Sequence, residues 1–374
     1  MSKKMTIQQL KNKINKKYGE GTITTASKAK ALQLERIPTG SLSLDIETGG
    51  GYPRGRITII AGDYSVGKSF MGFKAVAEAQ KKYPEETAWW IDNEGAFIPE
   101  WAEKFGIDLD RLEVVRPATS EQALDIVIAL LQRDDISIIV FDSIASSSPT
   151  AELEASMEET TVALQARLFN KFFRKAQAVL NIGNLEEKQK KPALLMINQL
   201  RSTMDKYSPE TKPGGRGQDF HSSIEIYLKR GDRFIETRDD GTDVYVGHTV
   251  KFKTEKNKTF PPKRAGQFDI YVDDSENGFK AGDIDRLKEI ISFAVRWDVI
   301  QKRGAWFTIL DNPEWKFQGG PKVLEFLREN EEARLEVERQ VMAVAFNESK
   351  RGQKELVTED GRRVDPETGE ILDE

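Results

Sequence analysis

The feature that most constrains the fold is the segment GDYSVGKS, residues 62–69, which directly follows the apolar run RITIIA at 56–61. Its spacing fits G-x-x-x-x-G-K-[ST], and a helical pattern follows it to about residue 82. Glycines allow consecutive backbone N–H groups to turn inward, and the N-terminus of the helix directs its positive dipole end to the same place. A strand, a loop and a helix of this kind predict a cradle for the phosphates of a nucleotide.

The loop is predicted to hold a nucleotide together with Mg²⁺. Lys68 is placed to reach the terminal phosphates, and Ser69 to offer its hydroxyl to the metal. The predicted nucleotide-binding residues of the loop are Gly62, Asp63, Ser65, Val66, Gly67, Lys68, Ser69 and Phe70.

Polar side chains also end three other apolar runs. IIVFDS ends in Asp142, a candidate for holding the magnesium together with Ser69. WWIDNEG carries Asp92 and Glu94, and spacing alone leaves them equal candidates for the base that activates a water for phosphoanhydride hydrolysis. MINQLR ends in Gln199, a neutral group suited to sensing a terminal phosphate.

The hydrophobic pattern predicts an α/β fold with a mostly parallel central sheet flanked by helices and an antiparallel extension. We expect four parts: an N-terminal oligomerisation segment at 1–35 with an amphipathic helix at 7–18, a core at 36–275, a small C-terminal α/β domain at 276–348 and an acidic tail at 349–374. Predicted strands are 56–61, 87–92, 112–117, 136–142, 193–199, 223–230, 249–257 and 266–272, with helices at about 67–82, 99–105, 120–133, 161–181, 284–299 and 321–347.

Composition narrows the class of protein. The 374 residues contain no cysteine and two histidines, so disulfides and thiolate metal sites are excluded. The absence of a long apolar run predicts a cytoplasmic protein without a membrane span. The net charge of −5 resides in the tail: residues 355–374 hold eight acidic and two basic side chains, and residues 1–354 are nearly neutral. Such a tail either competes with nucleic acid for basic surface or is only a solvated end.

The ordered set of motifs is similar to that of the bacterial RecA recombinases over nearly the whole chain. The signatures include KNKINKKYGEGTI, NEGAFIPEWAEKFGIDLDRL, IIVFDSIASSSPTAELE, LQARLFNKFFRKA, YSPETKPGGR, KNKTFPPKRAGQFDI and RGAWFTI. The resemblance implies an ATP-dependent recombinase that forms helical filaments on single-stranded DNA. It further implies pairing with homologous duplex DNA, strand exchange and DNA-stimulated ATP hydrolysis.

The resemblance also implies roles for residues that spacing left open. Glu94 matches the catalytic base, Gln199 the sensor that links ATP to the DNA-binding loop, and Trp101 the aromatic that stacks on adenine. Lys256 and Lys258 match two lysines that reach the γ-phosphate of the neighbouring protomer, so the ATP is expected between subunits. The helix at 7–18 is then expected to pack on the adjacent protomer.

DNA contact is implied for two loops, at about 151–163 and 201–216, and for the helix after the first loop. Arg167 and Arg174 are seven residues apart and therefore share a helical face. Tyr207 lies near the position of a wedge between base triplets. The implied DNA-binding residues are Arg167, Asn170, Arg174, Arg201, Tyr207, Gly214, Gly215 and Arg216.

Two other functions share these motifs. A ring-forming RecA-fold helicase would use the same Lys68, Asp142 and Glu94, and a DNA-binding recombination mediator would retain a weak ATP site. The expected partners of a recombinase are single-stranded and duplex DNA, further copies of the chain, and single-strand-binding and loader proteins.

Departures from the family pattern suggest a divergent, phage-encoded member. Asp63 and Tyr64 stand where the phosphate loop usually has Pro and Glu, Gly95 follows Glu94, and Ile98 replaces an acidic residue. The segments GNLEEKQKKP and LDNPEWKFQ are also atypical, and the second DNA loop is short.

Overall fold

The computed structural model describes residues 5–30, 33–155, 164–183, 185, 187–188, 190–202, 210–346, 356–357 and 363–364. The chain divides into two compact units, Met1–Ile284 and Asp285–Glu374. Most of the predicted acidic tail, residues 156–163 of the first predicted DNA loop and Tyr207 lie outside the described residues. No described helix combines the length and the apolar character that a membrane crossing requires.

Helices and strands alternate through the first unit. Its helices are α1 Ile7–Tyr18, α2 Leu42–Thr48, α3 Lys68–Lys82, α4 Pro99–Glu103, α5 Ser120–Leu130, α6 Thr150–Glu154, α7 Leu164–Asn181 and α8 Gly217–His221, with 3₁₀ turns at Ala26–Lys28 and Leu109–Arg111. Its strands are β1 Arg36–Ile37, β2 Tyr52–Pro53, β3 Ile57–Gly62, β4 Thr87–Asp92, β5 Leu112–Val115, β6 Ile136–Asp142, β7 Ala193–Gln199, β8 Arg201–Ser202, β9 Glu210–Thr211, β10 Ile224–Thr237, β11 Asp243–Asn257 and β12 Ala265–Tyr271.

The central sheet has eight strands in the order β12-β11-β10-β3-β7-β6-β4-β5. The six strands from β10 to β5 run parallel, and β11 and β12 extend the sheet in antiparallel pairing. All residues of β3 and β6 are buried, as expected for strands covered on both faces. The predicted α/β class, with its parallel core and antiparallel extension, is confirmed.

The core consists of two apolar layers, one on each face of this sheet. Alternate residues of a strand face opposite sides, so Ile60 and Val140 pack with α3, whereas Ile59 and Phe141 pack with α5 and α7. Both layers are needed because a parallel sheet has no solvated face. These two layers cover the central strands. The polar residues predicted from sequence lie where these strands end, at one edge of the sheet.

The N-terminal helix α1 has the predicted bounds. Thr6 begins it with a capping box: its hydroxyl accepts from the N–H of Gln9, and the Gln9 side chain accepts from the N–H of Thr6. No residue of α1 is buried, and Ile7, Leu10 and Tyr18 are exposed. A short amphipathic helix gains little stability without a surface to cover its apolar stripe.

The β10–β11 hairpin is longer than predicted. Sequence reading gave strands at 223–230 and 249–257, but the pairing continues to Thr237 and Asp243 around a turn that contains Gly241 at φ +81°. Residues 231–237 and 243–245 of the added part are exposed or only partly buried and include several charged side chains, so they give a weak apolar alternation, although Val246 and His248 beyond them are buried.

The second unit has its own small sheet and three helices. The helical pattern at 321–347 breaks at Asn330, whose side chain accepts from the N–H of Ala333 at 3.0 Å and so caps the second helix. The helices are α9 Arg286–Arg296, α10 Gly320–Glu329 and α11 Glu331–Phe346; the strands are β13 Ile300–Arg303, β14 Trp306–Ile309 and β15 Lys316–Gln318, which form an antiparallel sheet, followed by the pair β16 Leu356–Val357 and β17 Arg363–Val364.

Candidate active site

Polar residues from three of the predicted motifs, Asp92, Asp142 and Gln199, end neighbouring strands at the carboxyl edge of the parallel sheet. Gly62 pairs with Gln199 across β3 and β7, and Asp92 pairs with Asp142 across β4 and β6. This edge is where open α/β sheets bind ligands, because the loops that leave the strand ends diverge there. The sequence prediction that these strand ends lie together is therefore matched by the pairing.

The phosphate loop joins β3 to α3, and its backbone enters the left-handed region at Ser65 (φ 51°) and Gly67 (φ 102°). The buried Lys68 donates from Nζ to the carbonyl oxygens of Gly62 at 3.1 Å and Asp63 at 2.5 Å. Burial lowers the pKa of Lys68, and the nearby carboxylates of Asp142, Glu94 and Asp63 oppose that shift. A buried cation with weak carbonyl partners is suited to exchange them for phosphate oxygens.

Ser69 and Asp142 provide the candidate metal site. The Ser69 hydroxyl donates to Asp142 Oδ2 at 2.8 Å, whereas Asp142 Oδ1 is buried and has no hydrogen-bond partner within the part of the chain that the structure describes. Burial, with the charge of Glu94 nearby, raises the pKa of Asp142 to about 7. Within the described residues no cluster of three or more acidic or histidine side chains is arranged as a metal cage. Mg²⁺ usually takes one or two protein oxygens and completes its shell with phosphates and water, so this pair fits it.

The Glu94 carboxylate accepts three hydrogen bonds on a single oxygen. Glu94 Oε1 accepts from Gln199 Nε2 at 2.7 Å, from Ser143 Oγ at 2.7 Å and from Ser146 Oγ at 3.1 Å. Sequence reasoning missed Ser143 and Ser146, although the hydroxyl-rich segment SIASSS directly after Asp142 was a usable signal. The convergence fixes the carboxylate and leaves Oε2 without a partner among the described residues.

The carboxylate of Asp92 has other partners than that of Glu94. Its buried carboxylate accepts from the N–H groups of Ala96 at 3.0 Å and Phe97 at 3.3 Å, and it forms an ion pair with Arg116 at 2.8 Å. These bonds shape the loop that follows β4. The geometry therefore favours Glu94 over Asp92 as the base, a choice that spacing alone left open.

Trp101 lies on α4 and is partly buried against the core. Its ring meets Phe105 edge-on with centroids 5.5 Å apart, and Phe105 contacts Phe70 at 4.8 Å. Phe70 follows the phosphate loop on α3, so the three rings connect Trp101 to the loop. The contacts serve the core, and the adenine-stacking role stays a prediction.

Lys256 and Lys258 lie away from the phosphate loop of their own chain. Gly62 pairs with Leu228, whereas Lys256 pairs with Glu225, three residues or about 10 Å further back along β10. The N–H of Lys258 bonds the carbonyl of Ser223, still further towards the amino edge. The two ammonium groups donate to the carbonyls of Asp219 and Phe220 in α8.

The two lysines share a cationic environment. Burial is the main cause that lowers the pKa of Lys256 to about 8, and the charge of Lys258 adds to it. Burial likewise lowers the pKa of His221, with contributions from Lys258, Arg174 and Lys256. The charges of Glu225 and Asp219 in the same protomer oppose this lowering of the Lys256 pKa.

The predicted DNA-facing helix is α7. Arg167 and Arg174 are exposed on it, and its apolar face is buried in the core. The end of the second loop is closely packed: a Cβ on Gly214 would lie 2.6 Å from Ile144, which follows β6, and one on Gly215 would lie 2.8 Å from Ala166 on α7. Gly214 thus serves close packing against the segment after β6, and Gly215 close packing against α7, roles that the sequence prediction did not include.

Two buried amides, both missed from sequence, fix the same loop end. Asn198 Nδ2 donates to the carbonyl of Pro213 at 3.0 Å and to Gln218 Oε1 at 2.9 Å. Gln218 Nε2 donates to the carbonyls of Pro213 and Gly215. Because Asn198 precedes the predicted sensor Gln199, one strand end holds both the Glu94 contact and the loop. Arg201 and Arg216 are exposed at the two ends of this loop, and Asn170 is partly buried on α7.

The arrangement agrees with similarity to known proteins. A family model of the RecA N-terminal domain matches residues 5–276, and one of the RecA C-terminal domain matches residues 288–345. Protein RecA of Clostridium novyi is 38% identical over 342 residues, which cover 91% of this chain and 91% of that protein. Protein RecA of Thermus aquaticus is 36% identical over 344 residues, which cover 91% and 94%. Protein RecA of Cutibacterium acnes is 36% identical over 361 residues, which cover 96% and 94%. The chain belongs to the RecA family.

Proposed function

We propose that this recombinase hydrolyses ATP in a site at the carboxyl edge of one protomer's sheet. Lys256 and Lys258 of the next protomer complete this site. The chain is an ATP-dependent recombinase and a DNA-dependent ATPase, and neither the ring helicase nor the mediator is favoured. The observation that carries the proposal is the separation of the two lysines from the phosphate loop of the same chain. They act on a phosphate only if another protomer presents it.

Within one protomer, the chemistry follows from the strand ends. Lys68 exchanges its two carbonyl partners for phosphate oxygens, and the loop N–H groups hold the β- and γ-phosphates. Ser69 and Asp142 would hold Mg²⁺, which would supply charge neutralisation on the phosphates. Glu94, fixed through Oε1, presents Oε2 to a water in line with the leaving group and takes its proton.

Gln199 couples this chemistry to DNA. Its side chain bonds Glu94, and the N–H of the next residue, Leu200, bonds the carbonyl of Gly62. The chain then continues into β8 and the second DNA loop, whose far end is anchored by Asn198 and Gln218. A γ-phosphate that draws the Gln199 amide away from Glu94 therefore moves the start of that loop.

The DNA-binding residues are proposed to hold the backbone rather than to read bases. Exposed arginines at Arg167, Arg174, Arg201 and Arg216 supply charge for phosphates, and sequence specificity comes from base pairing between the strands. The chain binds single-stranded and duplex DNA and self-associates. Single-strand-binding and loader proteins, the cytoplasmic location and the phage origin stay predictions.

The decisive experiment mixes two inactive variants. Glu94→Gln removes the base at one side of an interface, and Lys256→Ala removes the cation at the other. If the site is shared, mixed filaments contain some interfaces with an intact Glu94 facing an intact Lys256, and ATPase activity on single-stranded DNA rises above the sum of the two variants alone. No gain at any mixing ratio would contradict the shared site, and co-sedimentation of both variants controls for assembly.

A further inference from the structure

Every carbonyl of the phosphate loop from residue 62 to residue 66 has a donor. The first two accept from Lys68. The next two, of Tyr64 and Ser65, accept from Nη2 of Arg230 at 2.9 and 2.7 Å. The last, of Val66, lies 3.3 Å from Nε2 of His248, which must carry the proton because a carbonyl only accepts.

The donors fall into two groups, which differ in whether they keep their carbonyl contacts when a nucleotide binds. Lys68 leaves its carbonyls when it turns to a nucleotide, because one ammonium serves both purposes. Arg230 and His248 come from β10 and β11, behind the loop, and they are free to stay in place when phosphates bind. The outer wall of the loop is thus held from the neighbouring strands.

Holding these carbonyls determines where the adjacent N–H groups point. In a trans peptide unit the C=O of one residue and the N–H of the next point in opposite directions. When Arg230 draws the carbonyls of Tyr64 and Ser65 outward, the N–H groups of Ser65 and Val66 face the other way, towards the phosphate side. Ser65 also has a φ of 51°, a conformation that a non-glycine residue keeps only when its surroundings enforce it.

Tyr64 completes the arrangement. Its side chain is 80% exposed, and the guanidinium carbon of Arg230 lies 5.9 Å from the centroid of its ring. At this separation the ring face can attract the guanidinium electrostatically, as in a cation–π pair. This contact gives the atypical Tyr64 of the loop a physical role.

We propose that Arg230 is a positioning residue for ATP binding, which keeps the phosphate loop in its binding shape before the nucleotide arrives. The inference rests on the phosphate-loop assignment made above. Arg230 touches no reacting atom; it acts through the loop backbone. Its loss should therefore weaken nucleotide binding more than it slows the chemical step.

The test is equilibrium binding of a fluorescent ATP analogue by the full chain with Mg²⁺ and without DNA. Loss of two charge-assisted hydrogen bonds in Arg230→Ala predicts an affinity lower by about tenfold or more. The KM for ATP should rise while kcat at saturating ATP and DNA changes less. Arg233→Ala removes the same charge from the same strand and should leave the affinity within about threefold of wild type.

Two further measurements separate positioning from a general loss of stability. The unfolding midpoint of Arg230→Ala without nucleotide should equal that of wild type, whereas its increase with ATP should shrink. Millimolar guanidinium should restore part of the affinity of Arg230→Ala, by refilling the vacated position, and should not affect Arg233→Ala.

The proposal is overturned if Arg230→Ala binds the analogue like wild type, or if Arg233→Ala weakens binding equally. Lys68→Ala distinguishes this failure from failure of the site itself. If Lys68→Ala loses nucleotide binding and Arg230→Ala keeps it, the phosphate-loop assignment is supported and the proposed role of Arg230 is contradicted. If Lys68→Ala binds normally, the phosphate-loop assignment falls, and the Arg230 inference falls with it.

Discussion

Gln199 donates a hydrogen bond of 2.7 Å from Nε2 to Glu94 Oε1 and so joins the proposed sensor to the proposed base. Gln199 ends β7, and Glu94 lies in the loop after β4. In the sheet, β6 lies between these two strands. The bond holds the carboxylate of the proposed base in one orientation.

Glu94→Gln should lower ATP turnover on single-stranded DNA by about 10²- to 10⁴-fold, the usual contribution of a general base. The amide keeps the size of the side chain but cannot take a proton, so ATP-dependent DNA binding should persist. Steady-state ATPase and DNA co-sedimentation measure the two properties. Glu103→Gln removes an exposed carboxylate from nearby α4 and should leave both unchanged. Turnover by Glu94→Gln close to wild type would exclude Glu94 as the base.

Asp142→Asn should raise the Mg²⁺ concentration needed for half-maximal ATPase by about tenfold or more, since one carboxylate charge at the metal is lost. Asn keeps the acceptor for the Ser69 hydroxyl, so the unfolding midpoint without metal should fall little. A Mg²⁺ titration of ATPase activity measures the shift. Asp135→Asn, at an exposed carboxylate that pairs with Arg133, is the control. An unchanged Mg²⁺ requirement would contradict the metal assignment.

ATP-dependent assembly should weaken as pH rises above about 8, because burial and Lys258 lower the pKa of Lys256 to about 8 in the free protomer. Below this pH Lys256 is charged and ready to meet a phosphate. Above it the ammonium must take up a proton, since an adjacent phosphate raises its pKa and favours the charged form. Light scattering at pH 7, 8 and 9 measures assembly.

Lys256→Arg provides the matched control for this pH dependence, because arginine stays protonated throughout the range. Its assembly should change less than that of wild type between pH 8 and 9. The folding stability of the free protomer should change in the opposite direction. Between pH 8 and about 10.4 the folded protomer binds fewer protons at Lys256 than the unfolded chain does, so the contribution of Lys256 to the free energy of unfolding increases as pH rises through this range. Equal pH dependence of assembly in Lys256→Arg would assign the effect to another group.

Gly214→Ala should weaken binding to single-stranded DNA and destabilise the loop end by about 1–3 kcal/mol, from backbone strain and a clash. Gly214 has φ +87°, and its added Cβ would lie 2.6 Å from Ile144. Gly241→Ala is the matched control, since Gly241 has φ +81° and nothing within 4 Å of the added atom. Fluorescence anisotropy with labelled oligonucleotides and thermal unfolding measure both effects. Equal losses in the two variants would show that strain alone matters.

Arg167→Ala and Arg174→Ala should each reduce the steepness of the plot of log DNA affinity against log salt concentration by about one, as expected when one phosphate contact is lost. The loss should be similar for all base sequences. Lys175→Ala, on the same helix but facing Asp125 of α5, should leave the slope unchanged. Binding to poly-dT and a mixed-sequence strand at several salt concentrations measures the slopes, and unchanged slopes for both arginines would remove α7 from the DNA interface.

The strand ends could be predicted from sequence because buried parallel strands are continuous apolar runs that stop at polar residues. β4, β6 and β7 end where the pattern placed them, at Asp92, Asp142 and Gln199. The register that pairs these ends follows from strand order, which no local pattern contains. Spacing alone left Asp92 and Glu94 equal as candidates for the base; the resemblance favoured Glu94, and the hydrogen bonds of the two side chains agree with that preference.

The contacts that were missed join residues far apart in the chain. Arg230 lies 165 residues from Ser65, and Asn198 meets Gln218 across the second loop. Each is an ordinary polar residue in an ordinary strand or helix pattern, so its sequence neighbours give no signal. The long hairpin was missed for a different reason: most of its added residues are exposed or only partly buried, so their apolar pattern is weak.

If Lys256 and Lys258 complete the site of the next protomer, as proposed above, any polymer of this protein has a direction. Each junction joins one kind of surface to a different kind, so one terminus of the assembly always presents a phosphate loop without lysines and the other presents lysines without a loop. An open assembly therefore has one fewer complete catalytic centre than it has protomers. Growth at its two ends is chemically distinct: an arriving protomer completes a waiting nucleotide at one end and brings its own nucleotide to waiting lysines at the other.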